Sequence, residues 1–256
     1  MHILLAFAPV FVQMFLLSFV GSIVNRTAYR FFGKFLYLLL MWPGVVVHEC
    51  SHVIGCILTR TRIHQVKFFL PQQEGNEMVL GYVEHDRPKS AIHRMIVSGA
   101  PFFGGAAVIF LLVHIFLPST ARIAFSFVGT PTGLLDVCLR TLKEYGRFAL
   151  STMSVINLSS WKSYVFLYLL FSISAHVAPS RTDLIHALEG AAFFGAMLLV
   201  AQWIILRFAP AYIFIFRGWT AQISGALTIF FGYGLVILLV VAVVLGVVAT
   251  IFRHRQ

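Results

Sequence analysis

The chain has 256 residues, of which 59% are hydrophobic and only 11% charged. Its mean hydropathy of +0.90 excludes an ordinary water-soluble domain, in which about a quarter of residues are charged. The formal charge of +10 would suggest nucleic acid in a soluble protein, but here the bases lie in short clusters at the ends of apolar runs, so a lipid bilayer is the expected partner and nucleic acid is not.

Crossing a bilayer takes roughly 20 apolar residues, and six runs approach that length: about 3–24, 35–58, 92–117, 163–179, 190–216 and 225–252. The first has no Lys or Arg ahead of it and is too long for a signal peptide, so it reads as a span. Lys and Arg divide almost evenly between the two sides that six spans create, and charge bias does not set the orientation.

The second run carries His48-Glu49-Cys50-Ser51-His52, an HExxH motif inside otherwise apolar sequence. Helical i, i+4 spacing puts both imidazoles on one face, where they can ligate one zinc, with Glu49 beside them as general base. An ionisable group within a span is expensive and points to function. The competing explanation is a helix whose histidines bond neighbouring helices and whose Glu49 is neutral. Cys50 points away from the two histidines and reads as a small core residue; Cys50, Cys56 and Cys138 have no paired spacing and imply no disulfide framework.

After this run, 63–71 and 78–85 are partly alternating and rich in Val, Phe, Ile and Tyr, with polar turn residues Gln72–Glu77 between them. The pattern predicts a β-hairpin over about 63–85, with an irregular interfacial loop as the alternative. In the third run Gly99, Ala100, Gly104, Gly105 and Ala106 allow close packing beside the HExxH helix. The long connection that follows has apolar residues at helical spacing over about 131–151, interleaved with Arg140, Lys143, Glu144 and Arg147, which predicts an amphipathic helix at the interface.

A catalytic zinc takes three protein ligands, and carboxylates are few. Asp183 is the best candidate for the third. Spans two and four run in the same direction, both motifs fall late in their segments, and Pro179 and Ser180 interrupt the helix just before Asp183. Asp183 could instead cap a short helix over 184–190, and His176 could be the ligand or hydrogen-bond substrate.

Together these residues resemble the site-2 protease family of intramembrane zinc metalloproteases, in particular its compact six-span members. His176-Val177-Ala178-Pro179-Ser180-Arg181-Thr182-Asp183-Leu184 looks like a divergent version of the family's N-x-x-P-x-x-x-D-G segment, with His176 in place of the asparagine and Leu184 in place of the glycine. Leu80-Gly81-Tyr82-Val83 is similar to its GGYV element near the active site, and Ser98-Gly99-Ala100-Pro101 resembles its A-G-P segment. The resemblance covers about 44–110 and 172–190. It implies zinc held by His48, His52 and Asp183, catalysis by Glu49, and substrate contacts from Gly81, Tyr82, Val83 and His176.

The expected fold is an all-α polytopic membrane protein, a single domain over 1–256 with about six transmembrane helices and a small membrane-associated β-hairpin. The expected activity is zinc-dependent hydrolysis of a peptide bond in or beside a transmembrane segment of a membrane-protein substrate, in a multi-pass protein of a bacterial-type cytoplasmic membrane. The rival classes are an inactive membrane scaffold or transporter with a vestigial site, and a zinc hydrolase of a non-peptide membrane substrate.

Overall fold

The computed structural model describes residues 2–74, 77–117, 159–177 and 181–253, with a few further positions between 118 and 158. It is mostly helical. In chain order the elements are α1 (His2–Leu58), the strands β1 (Ile63–Lys67), β2 (Gln72–Glu74), β3 (Glu77–Val79) and β4 (Tyr82–His85), then α2 (Ala91–Phe116), α3 (Trp161–Val177), α4 (Arg181–Phe208), a 3-10 turn Pro210–Tyr212 and α5 (Ile213–Arg253). Among the described residues two helical stretches, Phe7–Leu58 and Ala91–Phe116, are long and apolar enough to cross a membrane.

Helix α1 is two helices in series. Gly33 breaks it at φ 69°, ψ 174°, a conformation that a side chain makes costly, and no atom lies close to where a Cβ would stand. The connection expected between the first two spans therefore shrinks to one residue, with helix on both sides. The downstream limb, 34–58, carries the HExxH motif.

That limb ends in a left-handed cap: the Thr61 amide donates to the Cys56 carbonyl at 2.8 Å, and the Arg60 amide to the Ile57 carbonyl at 3.1 Å. Arg60 occupies the left-handed position at φ 52°, which glycine usually takes. Arg60→Gly is expected to raise stability by about 0.5–1 kcal/mol, read from the unfolding equilibrium in detergent.

The hairpin forms as two antiparallel ladders. Val66 pairs with Val83 and Lys67 with Tyr82 in one, with a bulge between Ile63 and Gln65; Gln72 pairs with Val79 and Gln73 with Met78 in the other. Between them the Leu70 amide donates to the Leu80 carbonyl at 2.8 Å. Gln72–Glu74 and Glu77, read as turn, are thus strand, because backbone pairing continues past the apolar positions that mark it in sequence. At the base, His64 Nε2 lies 2.7 Å from Asp86 Oδ1 and this bond holds the Asp86 carboxyl below its usual range, while the Asp86 amide donates to the Arg62 carbonyl.

The helices share one core, built from Leu17, Val24 and Met41 of α1, Phe102, Ile109 and Val113 of α2, Phe166 and Val177 of α3, and Phe231 and Leu238 of α5. Outward the surface is also apolar: Phe35 is 82% exposed, Phe214 79%, Phe208 75% and Leu58 72%. Between helices with apolar surroundings, close backbone approach adds to the packing that holds them together. Glycines supply it. A Cβ at Gly104 would run into Ser51 of α1, one at Gly105 into Val177 of α3, and one at Gly55 would lie 2.9 Å from the Ala100 Cβ.

Two boundaries differ from the sequence expectation. The last two apolar runs part at 209–212, around Pro210, and not after residue 216, because a proline cannot donate to the preceding helical ladder. Asp183 begins the long helix α4 in its first turn; no short helix over 184–190 stands by itself. The amphipathic segment expected at 131–151 lies almost wholly outside the described residues.

Candidate metal centre

The HExxH limb is fastened to α3 through a defect in its own helix. Pro43 has no N–H, so the Leu39 carbonyl lacks its intrahelical donor, and the Tyr168 hydroxyl donates to it at 2.7 Å. One residue on, the Gly44 amide donates to Ser172 Oγ at 2.9 Å, and a Cβ at Gly44 would collide with the Ser172 carbonyl. These contacts bring the last turn of α3 against His48.

His48 and His52 lie one turn apart with ring centroids 5.0 Å from each other. Each is oriented by a main-chain carbonyl of another helix. His48 Nδ1 is 2.7 Å from the His176 carbonyl oxygen of α3, and His52 Nδ1 is 3.0 Å from the Val97 carbonyl oxygen of α2. A carbonyl can only accept, so each Nδ1 carries a proton, and in the neutral ring Nε2 presents a lone pair. This is the arrangement that fixes ring and tautomer in metal-ligating histidines.

The third group is Asp183. The first turn of α4 brings its Oδ2 to 3.6 Å from His52 Nε2, and the ligand atoms of His48, His52 and Asp183 all lie within 4.8 Å of one another. Arg94 of α2 and Glu189 of α4, an ion pair at 3.4 Å, tie together the helices that supply Val97 and Asp183. Zinc held at 2.0–2.1 Å in tetrahedral geometry spaces its ligand atoms by about 3.3 Å, so the cluster is close to the size required. Its chemistry fits too. With the protons on the Nδ1 atoms, the imidazole lone pairs and the carboxylate converge as acceptors, a set that needs a cation or an added proton among them.

Glu49 is 7% exposed and interacts electrostatically with both His52 and Asp183. Gly81, between the two hairpin ladders, passes directly over it: a Cβ there would lie 3.0 Å from Glu49 Cγ and within 2.9 Å of the Lys67 and Phe68 carbonyls. Tyr82 and Val83 follow in β4, with the Tyr82 hydroxyl donating to Gln65 Oε1 at 3.0 Å. His176 contributes its main chain to His48, while its Nδ1 bonds the Ser172 carbonyl of its own helix at 3.0 Å; the side chain grouped with the two histidines is that of Asp183. Cys50 is a free thiol outside this group.

The carbonyls of Val97 and His176 were invisible to motif reading, since any residue can offer a carbonyl. The chain matches no family model, no curated protein and no solved structure.

Proposed function

We propose that the chain is a zinc-dependent intramembrane endopeptidase of the site-2 protease type, crossing the bilayer about six times and cutting a peptide bond in or beside a substrate's transmembrane segment. The observation that carries this reading is the convergence of His48, His52 and Asp183 next to a buried Glu49. Held by His48, His52 and Asp183, zinc would supply Lewis-acid polarisation of the scissile carbonyl and lower the pKa of water toward about 7. The Glu49 carboxylate accepts a proton from the attacking water as the new C–O bond forms, then delivers it to the amine nitrogen as the C–N bond breaks. His48 and His52 hold their rings still through the His176 and Val97 carbonyls, so little reorganisation accompanies the reaction. His48 and Asp183 are partly exposed, which gives water a way in.

A peptide bond inside a helix is shielded, and the hairpin answers that problem. An unwound substrate segment can pair along a free edge of the short ladder by main-chain hydrogen bonds, close to Glu49. Gly81→Val pushes a side chain at Glu49 and at two strand carbonyls. It is expected to lower cleavage about 100-fold with zinc content unchanged, since misplacing a catalytic group by about 1 Å has that effect.

The test of the function is to compare membrane proteins in cells carrying the wild-type chain and Glu49→Gln. Fragments ending in or beside a transmembrane segment should disappear in the variant while their full-length precursor accumulates. No bound metal in the purified protein and no phenotype for Glu49→Gln would mark a vestigial site. Stoichiometric zinc with no accumulating protein would point to a non-peptide substrate.

A further inference from the structure

Helix α2 contains Pro101 in its interior. In an α-helix the amide of residue i donates to the carbonyl of residue i−4, so a proline at 101 leaves the carbonyl of Val97 without that donor. Val97 is 1% exposed, and bulk water does not reach it to compensate. The group that takes up this carbonyl is His52 Nδ1, at 3.0 Å.

We infer that Pro101 is a positioning residue for the metal centre: by withholding one amide, it reserves the Val97 carbonyl for His52 and fixes the imidazole with its Nε2 toward Asp183. That Nε2 stands 3.6 Å from Asp183 Oδ2. An alanine at 101 would return an N–H to the helix ladder, so the imidazole would share the Val97 carbonyl with it and hold only one of the two lone pairs. His52 would then gain freedom to place its proton on Nε2, which blocks ligation.

The same device recurs in this chain. Pro43 leaves the Leu39 carbonyl to the Tyr168 hydroxyl, at 2.7 Å. In both cases a proline strips a carbonyl of its donor and a side chain from another helix takes the place. At Pro101 that side chain is a member of the metal cluster.

The significance for catalysis rests on the proposed zinc chemistry, but the Nδ1 hydrogen bond is a property of the metal-free protein and is measured there. In the full chain with 15N-labelled histidine, assigned by loss of the signal in His52→Gln, the His52 Nδ1 should carry a proton hydrogen-bonded to a carbonyl, whether or not Nε2 carries one too. Pro101→Ala should weaken that bond, read from the Nδ1–H shift, and weaken zinc binding, measured by chelator competition, about 10- to 100-fold. Installing L-lactate at 101 gives the alanine side chain on an ester that has no N–H. It should restore both the wild-type hydrogen bond and the wild-type affinity. Equal loss with alanine and lactate would assign the effect to the proline ring and overturn the inference, and so would an unchanged Nδ1–H shift in Pro101→Ala. A wild-type His52 with no proton on Nδ1 overturns it without any variant, so poor folding of Pro101→Ala does not shelter it. Absence of proteolysis with these results intact would count against the endopeptidase reading alone.

Discussion

Glu49→Gln should retain stoichiometric zinc and an unchanged unfolding profile while peptide-bond cleavage falls by about 100- to 10,000-fold, the range contributed by a positioned proton-transfer group. The amide has nearly the same shape, so the 7%-exposed pocket under Gly81 is still filled and the hairpin is not displaced. What is lost is the ability to accept a proton from water. Metal analysis and detergent unfolding on the same preparation as the cleavage assay separate the outcomes. Zinc lost together with activity would make Glu49 a structural group.

The second large effect separates Asp183 from His176. Asp183→Ala should weaken zinc binding by at least about 100-fold, because losing a ligand exceeds the 10- to 100-fold effect of losing a ligand's hydrogen-bond partner. It also removes the negative charge that offsets a dication among two neutral rings, and that charge is favoured at a helix N-terminus such as the first turn of α4. His176→Ala should leave zinc affinity within a few fold of wild type and lower activity. The contact made to His48 is through the backbone carbonyl, which alanine keeps. Chelator-competition titrations of the two purified variants decide the ranking. The reverse order would move the ligand to His176 and make Asp183 a capping residue.

Much of the candidate site could be read from sequence because metal ligation restricts residue type. His48, Glu49 and His52 stand out by spacing in an apolar run, and Asp183 by the scarcity of carboxylates after a proline. The hairpin was legible from alternation, though not the strand character of Gln72–Glu74, where pairing continues through polar residues. The helical run up to Gly33 was not legible, since Asn25, Arg26, Thr27 and Arg30 look like a connection while a backbone break needs only one permissive residue. Nor was the start of α4, where the residues around Asp183 fit a short capped helix as well as the first turn of a long one. The contacts that orient the imidazoles were hidden most completely. Their acceptors are carbonyls, and only the position of a proline four residues downstream of Val97 hints at one of them.

Because those acceptors are main-chain atoms, alanine scanning will give this centre a deceptive profile. Substitution at Val97 or His176 leaves the carbonyl in place, so both positions should score as dispensable for metal retention although both touch a ligand. Sensitivity should concentrate at residues with little or no side-chain chemistry: Gly44, Gly104 and Gly105, where any side chain meets another helix, and Pro101. A deep mutational map of this chain would thus trace the proposed metal site through glycines and a proline as much as through the polar residues that make it.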